Sequence, residues 1–155
     1  YLTSGEIGLS TGPRYTGSLI SGNLRRDGFA SMTADQSGGT LTTRSLHLNG
    51  SRLFVNVKAA RGELRVAVLD QSGSDVPGLE AQSCRPLNID STRAEVTWSS
   101  GSDLSKIAEK PIRLRLHLEA GELYSFWASD DPAGASGGYM AAGGPGFREG
   151  RDLEC

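Results

Sequence analysis

The 155-residue sequence contains no run of about 18 apolar residues, so no segment of it reads as a membrane-spanning helix. Neither sign of charge dominates: 16 Lys and Arg stand against 18 Asp and Glu, for a net charge of −2. That balance lacks the basic footprint of a nucleic-acid-binding domain and the polybasic patch of a membrane-surface protein. Cysteine is scarce, with only Cys84 and Cys155. In an oxidising compartment the two could close one long loop, which chain entropy values at about 4 kcal/mol; otherwise they are unlinked thiols, one buried and one near the terminus. The two histidines, His47 and His117, fall in different strand-like segments, and a zinc site would need a third ligand that the sequence does not place. No G-x-S-x-G nucleophile elbow occurs. Asp70, Asp75, Asp90, Asp103, Asp130 and Asp131 fall in or near loops without EF-hand spacing, so a structural calcium ion is the one metal role they leave open. No other cofactor is implied, and no pair among them can be assigned to glycoside hydrolysis from spacing.

Glycine is abundant, 21 of 155 residues, about twice the usual ~7% share, which argues for many turns. The length fits one domain able to bury its own core. The pattern is that of strands. In residues 53–70, LFVNVKAARGELRVAVLD, the residues Leu53, Val55, Val57 and Ala59 alternate with Phe54, Asn56 and Lys58. Leu64, Val66 and Val68 then alternate with Arg65, Ala67 and Leu69. A period of two places each set on one face of a sheet, and the Arg61-Gly62 turn between them predicts a β-hairpin. Ile112, Leu114, Leu116 and Leu118 alternate with Arg113, Arg115 and His117, and Ala120-Gly121 predicts a second hairpin into residues 123–128. That last segment, LYSFWA, is apolar on both faces, so it is covered on both sides or binds something.

Other segments are shorter. Residues 7–9, 18–24, 29–33, 40–44, 46–48 and 93–98 read as strands, the Thr-rich run at 40–43 favouring β structure. Arg25-Arg26-Asp27-Gly28 is a polar turn. Asn49-Gly50-Ser51 matches a glycosylation sequon, but an Asn-Gly pair between strand-like runs is first a hairpin signal. Residues 102–107 read as one helical turn capped by Ser102 and kept short by Pro111. Residues 129–155 collapse into Gly, Ala, Ser and Pro and read as a tail wrapped over the domain. The expectation is an all-β, two-sheet antiparallel β-sandwich, jelly-roll-like, with little helix. It divides into a lead-in or linker end at 1–24, the sandwich at 25–129 and the Gly-rich tail at 130–155. The chain opens at Tyr1 without a charged-then-apolar leader, as a mature product or a piece of a longer protein would.

Several runs carry a resemblance: NLRRDGFASM (23–32), GTLTTRSLHLNGSRLFVNV (39–57), GELRVAVLD (62–70), KPIRLRLHLEAGELYSFWAS (110–129) and GASGGYMAAGGPGF (134–147). Cys84 ahead of Pro86-Leu87, Asp90-Ser91-Thr92, Val96-Thr97-Trp98 and Asp103-Leu104-Ser105 fall between them in order. Together, over roughly residues 20–147, they resemble the β-sandwich that follows the five-bladed propeller in glycoside hydrolase family 32-like and 43-like proteins. The resemblance implies a jelly-roll-like accessory module that stabilises a catalytic domain or, as in related levan- and inulin-binding modules, binds sugar. In such proteins the catalytic carboxylates lie on the propeller, so no catalytic residue carries over and the chain by itself is expected not to be an enzyme.

From the residues themselves, the candidate carbohydrate-binding set is Arg113, Arg115 and His117 with Tyr124, Trp127 and Trp98. If strands 93–98, 112–119 and 122–128 were neighbours, one face would hold a row of donors beside ring faces, the mixture a shallow neutral-sugar site requires. The alternative is that the tryptophans plug the core and the arginines are a solvated face. The expected function is therefore a non-catalytic, lectin-like or accessory β-sandwich module, secreted, with carbohydrate as partner and neither nucleic acid nor membrane. The rival is a purely structural domain that packs on a propeller or on a second copy of itself.

Overall fold

The computed structural model describes residues 22–108, 110–138, 147–148 and 151–152. The elements run β1 (Met32–Ala34), β2 (Gly39–Thr42), β3 (Arg52–Lys58), β4 (Glu63–Leu69), β5 (Asp90–Val96), α1 (Ser105–Ala108), β6 (Arg113–Glu119), β7 (Gly121–Ser129), β8 (Phe147–Arg148) and β9 (Arg151–Asp152). They form a four-stranded sheet in the order β1-β7-β3-β5, a three-stranded sheet in the order β2-β6-β4, and a small β8-β9 pair. All pairings are antiparallel. The fold is a two-layer β-sandwich, as the alternation predicts.

The connectivity is not the predicted one. From β1 to β7 the odd-numbered strands all lie in one sheet and the even-numbered strands in the other. Every connection between consecutive strands therefore crosses the sandwich. The predicted hairpins at Arg61-Gly62 and Ala120-Gly121 are instead arches: β3 and β4 face each other across the core, as do β6 and β7. Alternation fixes which face of a strand is buried, but a short turn can lay two apolar faces side by side or fold one onto the other. Close backbone approach favours the second here. A Cβ on Gly62 would fall 1.9 Å from the Glu119 carbonyl oxygen, and one on Gly121 would fall 2.9 Å from that of Lys58. The two arches nest, and only glycine leaves room for this. Between them Ala120 adopts φ 44° and donates its amide to Asp35 O at 2.8 Å. The Asn49-Gly50 turn is another crossing, from β2 to β3, rather than a hairpin. Gly50, at φ 151°, passes so close to Ser129 that a Cβ would lie 2.6 Å from its amide nitrogen.

The inward faces supply the core: Leu53, Val55 and Val57 from β3, Leu64, Val66 and Val68 from β4, Ala94 and Val96 from β5, Leu114, Leu116 and Leu118 from β6, and Leu123 from β7. Trp98 is buried among them, its indole Nε1 donating to Val66 O at 2.9 Å. The ring thereby satisfies the one polar atom that its burial would otherwise strand. Residues 76–87 flank the free edge of β4 with backbone bonds to Val68 and Leu64. Cys84 is a free, buried thiol whose Sγ accepts the Val66 amide at 3.3 Å; Cys155 lies outside the described residues. The strand expected at 29–33 is β1, shifted toward the C-terminus, and residues 22–24 form no strand. The segment expected at 7–9 lies outside the described residues. The helical turn is α1, and its leading amide, Ser105 N, is taken by Asp103 Oδ1 at 2.8 Å. Ser102 instead accepts from Arg52.

Candidate functional site

The sandwich has two outer faces, and they differ in how their polar groups are satisfied. On the four-stranded sheet the outward residues are Phe54, Asn56 and Lys58 of β3, Arg93 of β5, and Glu122, Tyr124 and Trp127 of β7. Phe54 is 3% exposed and Asn56 is fully buried, so this face is itself an interior. The cover comes from residues 22–28 on one side and 131–138 with β9 on the other. Arg25 donates from Nε to Asn56 Oδ1 at 2.7 Å, from Nη1 to Asp90 Oδ1 at 2.6 Å and from Nη2 to Val57 O at 3.1 Å. Its guanidinium lies 4.8 Å from the centre of the Tyr124 ring. Arg26 stacks in the same way over Trp127 at 5.5 Å and donates to Asp152 Oδ2, while its carbonyl accepts from Asn56 Nδ2. Each arginine thus spends its planar head twice, on a ring face and on an anion.

Asp152, 1% exposed, is the node of this layer. It also accepts Arg93 Nη2 at 3.4 Å and the Ser136 amide at 2.8 Å. Burial by itself would raise its pKa, but the Ser136 amide and the Arg26 guanidinium outweigh that and hold it below the usual carboxylate range. Trp127 lies against Phe54, ring centres 5.9 Å apart, and its Nε1 donates to Gly134 O at 3.0 Å. Ser129 Oγ donates to Ala135 O at 2.6 Å. The tyrosine hydroxyl of Tyr124 donates to Glu122, which Lys58 also reaches at 3.2 Å; these bonds lower the pKa of Glu122. The double-sided apolar pattern of β7 is thereby explained: both of its faces are covered, the outer one by residues 22–28 and 131–138 with β9.

The outer face of the three-stranded sheet is open only in part: Arg113, Thr40 and Thr42 are exposed, Arg115 and His117 are half-buried, and Ala67 and Leu69 of β4 are buried. β6 presents Arg113, Arg115 and His117, with Thr42 opposite Arg115 and Thr40 opposite His117 on β2. On β4, Arg65 lies opposite His117, Ala67 opposite Arg115 and Leu69 opposite Arg113. Thr40 Oγ1 and His117 Nδ1 are 3.3 Å apart. Arg65 is committed to Glu63 at 2.7 Å and to Cys84 O at 3.0 Å.

The six candidate residues therefore divide three ways. Arg113, Arg115 and His117 share the outer face of the three-stranded sheet. Tyr124 and Trp127 lie on the opposite side of the molecule beneath Arg25 and Arg26, and Trp98 is in the core. The strands expected to be neighbours are not: β5 and β7 flank β3 in one sheet, and β6 belongs to the other. The residues that sequence reasoning missed are Asn56, Arg93 and Asp152, together with the anchoring role of Arg25 and Arg26. One signal was present, an asparagine and a phenylalanine on the second face of a strand, which is the mark of a covered face.

Several of the carboxylates named from the sequence hold the protein's own backbone and side chains. Asp70 accepts Ser72 Oγ and the Ser74 amide, Asp131 accepts the Ala133 amide, Asp130 accepts the Ser51 amide, and Asp90 holds Arg25. Among the described residues no group of three His, Cys, Asp or Glu side chains converges as metal ligands. Among them, too, no helix is long and apolar enough to cross a membrane. Comparison with protein-family models, curated proteins and solved structures finds no match.

Proposed function

We propose that this sandwich is a non-catalytic accessory module of a secreted, carbohydrate-active protein, built to be held in a fixed orientation against a neighbouring domain such as a propeller. The observation that carries the reading is the anchoring of residues 22–28. Arg25 and Arg26 fix the chain's approach to the sandwich through ion pairs to Asp90 and Asp152, two ring contacts and both ends of the Asn56 amide. A module on a loose tether needs none of these; one that must transmit a defined geometry needs them at this place. The resemblance to propeller-associated sandwiches supports the same reading. Directly after the anchor, Phe29 and Met32 are 76% and 57% exposed, apolar surface that an adjacent domain would cover.

The test is backbone 15N relaxation on the chain. Amides 22–28 should show order parameters equal to those of β3 and β7, near ~0.85. Values below about 0.6 would make the segment a free tether and overturn the reading. In the same sample, neutral fructans, galactans and arabinans should leave the Tyr124 and Trp127 resonances in place at millimolar sugar. Saturable shifts there would show those rings acting as a sugar platform, and a lectin-like function would replace the accessory one.

A further inference from the structure

Charge on this protein is segregated in a way its net value hides. On the four-stranded side and its edges, the cations are paired: Arg25 with Asp90, Arg26 and Arg93 with Asp152, Arg52 with Glu95, and Lys58 with Glu122. On the three-stranded face, Arg113 and Arg115 stand at alternate positions of β6, and among the described residues neither side chain makes an ion pair or hydrogen bond. Arg44 extends the row. Beyond β2, Thr43 donates its amide to Leu114 O at 2.9 Å and accepts the Leu114 amide on its hydroxyl at 3.0 Å, so the strand line continues and exposed Arg44 follows beside Arg113. Arg44, too, has no anionic partner among the described residues. Glu63 and Glu119 lie opposite each other at one end of the face, with Glu63 held by Arg65, and Asp75 lies toward the other end, opposite Leu69 on the edge of β4 away from Arg113. Like charges set on neighbouring strands repel, yet here three guanidinium groups share one surface of a protein whose net charge is −2.

We propose that this face binds an acidic polysaccharide, one that bears carboxylate or sulfate groups. Planar guanidinium forks match such anions in a two-pronged geometry, and successive outward positions on β6 recur about every 7 Å along the strand. The exposed hydroxyls of Thr40 and Thr42 lie beside the arginines for sugar hydroxyls. Other occupants fit less well. A neutral sugar would want a ring to stack on, and the aromatics of β7 are on the far side. Single-stranded nucleic acid has the same need. A peptide adds to a sheet at its edge rather than across its face. The inference goes beyond the accessory role and does not depend on it: a rigid scaffold with no ligand would pass the relaxation test and fail the one below.

The experiment is an NMR titration of the whole chain with polygalacturonate and with dextran sulfate, beside neutral dextran and a single-stranded DNA oligonucleotide. At least one of the two acidic polysaccharides should shift the amides of β6 and β2 saturably. Neutral dextran should not, and the binding should weaken as salt is raised. Arg113→Gln with Arg115→Gln should weaken it about tenfold or more, since hydrogen bonds to charged groups are lost, with an unchanged melting temperature. Three results would overturn the proposal: no shift with either acidic polymer at millimolar anion, undiminished binding by the double variant, or DNA bound as tightly as the polysaccharides.

Discussion

Asp152→Asn tests the buried polar layer most directly. The substitution keeps the side chain's shape and removes its charge. It leaves Arg26 and Arg93 facing a neutral amide, one end of which is a donor turned toward donors. Hydrogen bonds to charged groups contribute about 1.5–3 kcal/mol each, and two arginines bond to this carboxylate. The full sum is not expected, because the Arg26 and Arg93 side chains remain 16% and 22% exposed and water can take up part of the loss. Breaking a buried pair by removing one partner costs about 3–5 kcal/mol. With that allowance for water, we expect about 2–4 kcal/mol. At about 2–4 °C per kcal/mol for a domain of this size, the melting temperature should fall by roughly 4–16 °C. Thermal unfolding followed by circular dichroism measures this, and a double-mutant cycle with Arg26→Gln isolates the pair, whose coupling should exceed about 0.5 kcal/mol. The pH dependence follows from sign. The Asp152 pKa is depressed in the folded state, so its contribution is complete above the ordinary carboxylate pKa, near ~4, and is lost as pH falls through the lower folded value. The wild type should therefore lose stability in acid more steeply than Asp152→Asn. A fall of less than about 2 °C, below the smallest effect allowed here, or strictly additive single substitutions, would refute the reasoning.

Two further outcomes are expected. Gly62→Ala should destabilise by about 3 kcal/mol, because its new Cβ meets the Glu119 carbonyl at 1.9 Å and no flexible side chain can yield there; an unchanged denaturant midpoint would mean the two arches do not nest. In a Cys155→Ser background, Cys84 should resist a thiol reagent until the protein is unfolded, since burial raises its pKa and removes it from solvent; rapid labelling under native conditions would place it at the surface.

Which side of β3 and of β6 faces the core was legible from alternation alone. Leu53, Val55 and Val57, and likewise Leu114, Leu116 and Leu118, all reach the core they were expected to build. Partner choice was not legible. The Arg61-Gly62 and Ala120-Gly121 turns have the length and composition of hairpin turns, and nothing local distinguishes a hairpin from an arch. The deciding contact, Gly62 against Glu119, joins positions in two different turns, and local sequence reading does not see it. Trp98 was open to both a core and a site reading, and its neighbours across the sandwich decided for the core.

The candidate site shows the same limit in chemical form. A strand apolar on both faces says that something covers the second face, but not whether the cover is a ligand or the chain itself. Tyr124 and Trp127 satisfy the requirement with Arg25 and Arg26, residues about a hundred positions earlier that read only as a polar turn. Once those rings are spent internally, an arginine row on the other sheet loses its aromatic companions, and its chemistry changes with them. With rings beside them, Arg113 and Arg115 would be forked donors in a neutral-sugar site. Without rings, what they offer is positive charge in a planar, paired-donor geometry, and the ligand that uses this most fully is an anion.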